Sequence, residues 1–261
     1  MTPPLIAVAA VDVATGRVVL DHQADVACYA ASTLKVAILV ALHRAADRGR
    51  LSLDQQVPLA TSWPAAGGGD FALVPDDDDP QLASCAGKHV PVRDLAEHMI
   101  TRSSNVAANV VLDLLGFEAV AAAIGAVEAT GCRLRHHFGD RRARAAGPAN
   151  TATAAGLAAL AAAVGGGRAA TPDACREMLG VLARQEQRDL IPAALPPGPR
   201  CANKTGWAEE VLHDVAVVCA PGIPPYALAI CTSGFADPEE AGARLRAAAA
   251  RAHAIISGGT P

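Results

Sequence analysis

Lysine is the rare base in this chain. Of 22 lysines and arginines only Lys35, Lys88 and Lys204 are lysine. An ammonium gives up its proton readily when desolvated, whereas a guanidinium stays charged, so a lysine kept in an arginine-rich chain marks a place where arginine will not serve. Lys35 follows Ser32 by three residues, a spacing that puts both side chains on one face of a helix. Ser32 would then lie in the first turn, where free N–H groups and the helix dipole favour negative charge. A neutral Lys35 there could take the Ser32 hydroxyl proton and leave a nucleophile. Taken alone, the pair reads equally well as a helix cap followed by a surface lysine.

Two later segments change that balance. Arg102-Ser103-Ser104-Asn105 falls at an apparent break between helices, and Lys204-Thr205-Gly206 falls immediately before a predicted strand. The ordered trio Ser32-x-x-Lys35, Ser103-x-Asn105 and Lys204-Thr205-Gly206 is the set used by penicillin-binding proteins and class A β-lactamases. Two of the three lysines fall inside it. The sequence therefore resembles the serine β-lactamase and penicillin-binding-protein superfamily, closest to its class A β-lactamase-related serine hydrolases. The resemblance runs nearly the whole chain: the opening hairpin, Ser104-Asn105-Val106-Ala107-Ala108-Asn109 entering a helix, Asn150-Thr151-Ala152-Thr153-Ala154 ahead of another, and the terminal strand pair and helix.

The resemblance implies roles for these residues. Ser32 would be the acylated nucleophile, Lys35 its general base, and Ser103 a proton relay to the leaving group. Asn105 would hydrogen-bond the substrate amide or the Lys35 amine. Lys204, Thr205 and Gly206 would line the substrate site, with Lys204 and Thr205 holding an anionic group. The backbone N–H groups of Ser32 and Trp207 would form the oxyanion hole. Trp207 is expected to line the cleft, the alternative being that it packs down on the sheet.

Two departures bear on activity. The middle member of the second motif is Ser104 where class A enzymes usually carry Asp. The Glu-x-x-Leu-Asn segment, whose glutamate activates the deacylating water in class A β-lactamases, is missing: no glutamate occurs between Glu128 and Glu177, and the segment reads Leu134-Arg135-His136-His137-Phe138-Gly139-Asp140. His137 and Asp140 are the candidate replacement bases, set against a solvated His/Arg loop. Acylation is expected, and efficient β-lactam hydrolysis is not. The readings that follow are a serine hydrolase of an amide, ester or lactam, an acyltransferase using the same acyl-enzyme, and a catalytically silent ligand-binding relative. His213-Asp214 forms no triad, because neighbours on a strand point to opposite faces.

The elements that must position these residues are legible in outline. Residues 5–13 and 17–20 predict a hairpin, and Ser32 to Arg48 a helix stopped at Gly49. Residues 60–90 predict loop, with Gly67-Gly68-Gly69 and an acidic run Asp76 to Asp79 expected to be solvated, a cation site being the alternative. Residues 91–130 predict helix broken near Ser103 and Gly116, residues 133–150 an irregular polar stretch, and 151–163 and 172–184 helix again. After a Pro-rich turn at 192–199, Val211–Ala220 and Tyr226–Thr232 predict strands and 238–256 a closing helix. The fold expected is α+β, an antiparallel sheet built from both chain ends with an inserted helical subdomain: one domain over 1–261, its α/β part about 1–50 and 192–261 and its helical part about 51–191.

Composition sets the outer limits. With 51% hydrophobic and 18% charged residues the chain is not disordered, and a net charge of −4 without a concentrated basic face argues against nucleic acid. The start has no basic residue before its apolar run, and Asp12 interrupts that run, so neither an export signal nor a membrane span is expected and the location expected is cytoplasmic. Of seven cysteines without CxxC spacing, most are expected to be buried thiols. No metal or cofactor is expected, and the expected partner is a small-molecule acyl substrate, with the oligomeric state left open.

Overall fold

The computed structural model describes residues 4–66, 68–146 and 149–258. Strands β1 (Leu5–Asp12), β2 (Val18–His22), β3 (Arg200–Ala208), β4 (Val211–Cys219) and β5 (Tyr226–Ser233) form one antiparallel sheet in the order β2-β1-β5-β4-β3. The first strand of the chain thus pairs with the last, from Leu5↔Ser233 to Asp12↔Tyr226. This is the predicted sheet built from both chain ends.

Strict alternation divides its side chains between two cores. Ala7, Ala9 and Val11 of β1, Val215 and Val217 of β4, and Ala227, Ala229 and Cys231 of β5 face one cluster. Val8, Ala10, Ala216, Val218, Leu228 and Ile230 face the other. The second core is closed by the terminal helix Pro238–Ile256, which lays Leu245, Ala249 and Ala252 on it at helical spacing. Asp237 starts that helix by accepting the Glu239 N–H at 2.9 Å ahead of Pro238.

The larger core belongs to the helices between the sheet's two halves: α1 (Lys35–Asp47), α2 (Val92–Thr101), α3 (Asn105–Leu115), α4 (Phe117–Ala126), α5 (Ala154–Gly165) and α6 (Pro172–Ala183). In α1 every residue from Lys35 to His43 is buried, so this helix is sheathed on all sides. Both predicted breaks occur where backbone chemistry requires them. Gly116, with φ +78°, separates α3 from α4, and Ser103, with φ +63°, separates α2 from α3.

Three regions differ from the sequence reading. Lys204-Thr205-Gly206 lies inside β3 rather than before a strand; buried Asn203, Lys204 and Thr205 interrupt the apolar pattern that would have announced it. Residues 60–90 are not plain loop. Ser62–Pro64 pairs with Asp70–Ala72, His89–Pro91 pairs with Gln56–Pro58, and Pro75–Asp78 and Pro80–Ala83 are short helices. The irregular stretch at 133–150 contains a short helix, Arg141–Ala146. Gly67 and the side chains of Asp76 and Asp77 lie outside the description.

Candidate active site

Ser32 sits in a one-turn 3-10 helix, Ala31–Leu34, that runs directly into α1 at Lys35. The turn is entered through Ala31 at φ +47°, a left-handed conformation that costs an alanine about 1–2 kcal/mol. The Ala30 N–H donates to the Asn150 carbonyl at 2.9 Å and the Thr33 hydroxyl to the Ala30 carbonyl at 2.6 Å, which together fix the strained entry. Ser32 is half-buried and Lys35 wholly buried.

Lys35 Nζ lies 2.5 Å from the Ser103 carbonyl oxygen, 2.8 Å from Asn105 Oδ1 and 3.0 Å from Ser32 Oγ. The first two partners only accept, so each takes an N–H. A neutral amine has two N–H bonds and one lone pair, which leaves the lone pair for the Ser32 O–H. Burial, and then the repulsion of Lys204, hold Lys35 well below the ordinary lysine value, with Asp78 pulling weakly the other way. The Phe138 ring, 4.8 Å from Nζ, closes the site on a further side.

The second motif is held from outside itself. Asp78, on the short helix Pro75–Asp78, accepts the Ser104 hydroxyl at 2.5 Å, the Asn105 N–H at 2.8 Å and the Val106 N–H at 3.1 Å. Ser104 in turn caps α3 by accepting the Ala107 N–H at 3.0 Å. The next residue, Asp79, is fully buried, takes Arg102 Nε at 2.9 Å and His98 Nδ1 at 2.6 Å, and accepts the Gln81 and Leu82 N–H groups. The expected solvated run is therefore corrected at its second half: Asp78 and Asp79 are structural anchors, because the orphan N–H groups of α3 and the Arg102 guanidinium need acceptors there.

The third motif comes in along β3. Lys204 is buried, and its Nζ donates to the Thr205 carbonyl at 2.8 Å and to Ser103 Oγ at 3.0 Å. Ser103 Oγ is also 3.5 Å from Lys35 Nζ, so this hydroxyl stands between the two amines. Burial brings Lys204 down to about 7, against the opposing pull of Asp214. A Cβ on Gly206 would lie 3.0 Å from the backbone nitrogens of Ser32 and Thr33, so the absence of a side chain lets β3 abut the Ser32 turn. The Thr205 hydroxyl donates to Gln187 Oε1.

A family model described as the beta-lactamase enzyme family matches residues 5–256. The chain belongs to that family. Its structure is similar to the β-lactamase from Sphaerobacter thermophilus DSM 20745, at TM-score 0.82 and 27% identity, covering 100% of this chain and 94% of that one. It is also similar to the ancestral (GNCA) class A β-lactamase, at TM-score 0.83 and 25% identity with 96% and 94% covered. PBP-A shares the fold at TM-score 0.82 and 23% identity, with 98% and 91% covered. No curated protein sequence matches the chain. Family and fold together support a serine hydrolase of the β-lactamase type. Among the described residues no single helix is long and apolar enough to cross a membrane.

In this β-lactamase-family chain Ser32 opens into a cleft of about 180 Å³ lined by Tyr29, Asn105, Phe138, Arg141, Arg144 and Trp207, among others. Larger cavities of about 760 and 650 Å³ lie elsewhere and touch none of the motif residues. Trp207 stands at the rim, 69% exposed, and does not pack down on the sheet. Of the two candidate bases, His137 is not among the lining residues: its Nε2–H donates to Asp113 Oδ1 at 2.7 Å and its ring packs against Trp63 and Phe117. Asp140 does line the cleft but is buried, with its oxygens accepting the Ala66 N–H at 2.8 Å and the Ala143 N–H at 2.9 Å. Burial alone would raise its pKa; those bonds, the His136 charge and the Arg142 N–H outweigh burial and lower it.

His213 and Asp214 do point to opposite sides of β4. His213 Nε2–H donates to the Tyr29 carbonyl at 2.8 Å and Nδ1 accepts the Thr232 N–H at 3.1 Å, whereas Asp214 accepts from Ile191 N and Asn203 Nδ2. The donor atoms of Cys28, His213 and Cys231 lie within 4.8 Å of one another, but both imidazole nitrogens are already committed to backbone groups. The sequence reading missed Asp78, Gln187, Arg141 and Arg144. Asp78 left a trace in the acidic run and Arg141 and Arg144 in the His/Arg loop, but neither pattern says which side chain reaches α3 or the cleft.

Proposed function

We propose that this protein forms an acyl-enzyme on Ser32 with a small-molecule amide, ester or lactam. The observation that carries the reading is the buried Lys35 amine, 3.0 Å from Ser32 Oγ and held well below the ordinary lysine value. Lys35 Nζ takes the hydroxyl proton as Oγ attacks the carbonyl carbon. The oxyanion is held by the N–H groups of Ser32 and Trp207. As the carbon–leaving-group bond breaks, the proton passes through Ser103 to the departing nitrogen or oxygen. Asn105 holds the substrate amide and supports Lys35, while Lys204 and Thr205 attract an anionic group on the substrate.

Water activation is the weak step. Asp140 is tied down by two N–H donors and His137 is bound to Asp113, so neither supports fast deacylation. The same observation favours a second reading, in which an amine or alcohol takes the acyl group in place of water.

A variant of PBP-A forms an acyl-enzyme complex with penicillin G, which makes that compound the first probe. Intact-protein mass spectrometry after mixing should show one added penicilloyl mass, absent in Ser32→Ala. Its slow decay in water and its release by an added amine would separate acyl transfer from hydrolysis. No adduct with penicillin G or with activated esters would favour a catalytically silent relative and overturn the proposal.

A further inference from the structure

We propose that the acyl group this site accepts carries its own carboxylate, bound by Arg144 and Arg141 on the wall of the Ser32 cleft. The inference rests on the acyl-enzyme reading and adds the substrate class to it.

Half-buried arginines elsewhere in the fold end on acceptors: Arg102 on Asp79 and Glu186, Arg44 on the Ala169 carbonyl. In the cleft this pairing stops. Among the described residues the exposed Arg141 side chain makes no hydrogen bond or ion pair, and the half-buried Arg144 side chain makes a single 3.4 Å contact to the Glu209 carbonyl. The carboxylate on that wall, Asp140, is buried and committed to backbone N–H groups, so it does not bridge to either guanidinium.

Arg144 is also oriented. Its Cζ lies 4.6 Å from the centre of the Tyr29 ring, another wall of the same cleft. A stacked guanidinium keeps its planar fork of donors pointing outward and loses little freedom when a carboxylate docks on it.

Position assigns the charge to the acyl side. Arg141 and Arg144 belong to the segment that carries Phe138 and faces the cleft together with Asn105, the residue proposed to hold the substrate amide. Lys204, on β3, is bonded instead to Ser103, the residue proposed to hand the proton to the departing atom. The cleft volume of about 180 Å³ suits a short or flat acyl group.

The test uses two isosteric acyl donors, the para-nitrophenyl esters of para-carboxybenzoate and para-carbamoylbenzoate. In each, Ser32 Oγ forms the new ester, nitrophenolate leaves with the bonding pair, and the serine proton stays on Lys35. The expected result is a kcat/KM for the carboxylate ester about ten-fold or more above the amide ester, as one charge-assisted hydrogen bond would give. In Arg141→Gln/Arg144→Gln the ratio should fall to near one, while Arg142→Gln, an exposed neighbour outside the cleft lining, should keep it. A ratio near one in the natural protein, or one that persists in the double variant while both esters still label Ser32, overturns the inference alone. Failure of both esters to label Ser32 overturns the acyl-enzyme reading and the inference with it.

Discussion

Asp78 accepts the Ser104 hydroxyl at 2.5 Å, and from that position its carboxylate also closes the first turn of the helix that carries Asn105. The resemblance that organises the sequence leads one to expect a carboxylate at position 104 itself. Here position 104 is a hydroxyl, and the negative charge arrives through space from a different element. Ser103 and Asn105, both bonded to Lys35, are oriented by this arrangement.

Removing Asp78 should therefore cost stability and rate together. Asp78→Ser is expected to destabilise the fold by about 1–2 kcal/mol, the cost of a lost helix cap, and to slow Ser32 acylation by about ten-fold or more. Restoring the charge at the other end, in Asp78→Ser/Ser104→Asp, should recover stability relative to Asp78→Ser. Thermal unfolding and acylation kinetics of the three proteins check this; a double variant no better than the single one would contradict it.

Gly206→Ala should leave the fold standing and impair the site. The added methyl would lie 3.0 Å from the nitrogens of Ser32 and Thr33, tighter than ordinary contact, so the Ser32 turn must shift. Acylation is expected to slow by at least about ten-fold, since small misplacements of a nucleophile are costly. An unchanged acylation rate would show that β3 does not set the position of Ser32.

The pH dependence of acylation follows from the two lysines. The rate should rise with pH as Lys35, held below its ordinary value, loses its proton. With an anionic substrate it should fall again around pH 7 as Lys204 loses its charge. Lys204→Gln removes the repulsion that lowers Lys35 as well as the charge itself. Its profile should lose the alkaline limb, and its acid limb should move to higher pH.

Asp214 makes an opposite contribution to stability. Burial pushes its carboxyl up to about 7 from 3.8, despite hydrogen bonds from Asn203 and the Ile191 N–H. A folded-state value above the unfolded one means that the native protein holds the extra proton. The stabilising contribution is complete below 3.8 and is lost as pH rises through about 7. Asp214→Asn carries no such penalty, so its melting temperature relative to the natural protein should climb between about pH 4 and pH 8. A difference independent of pH would contradict the buried-acid account.

What could be seen in the sequence was whatever depended on local pattern. Apolar runs bounded by turn residues gave the β1–β2 hairpin and strands β4 and β5, helical periodicity with breaks at Ser103 and Gly116 gave α2 to α4, and ordered motifs gave the residues around Ser32. Strand β3 was hidden because its buried positions include Asn203, Lys204 and Thr205, polar residues whose partners come from other elements. Asp78 and Arg144 were hidden for the same reason. A carboxylate that caps a helix well beyond its own turn, or a guanidinium laid on Tyr29, leaves no periodic signature.

The central claim is that Lys35 is a neutral base when Ser32 reacts. Because the chain has only three lysines, the side-chain nitrogen NMR signals of Lys35 and Lys204 can be followed directly through a pH titration in Lys88→Arg protein, with Lys204→Gln fixing the assignment. The account predicts that the Lys35 ammonium disappears well below the ordinary lysine range and that its midpoint coincides with the acid limb of Ser32 acylation. An ammonium signal persisting at Lys35 after acylation has reached its plateau would contradict it, and another group would have to take the Ser32 proton.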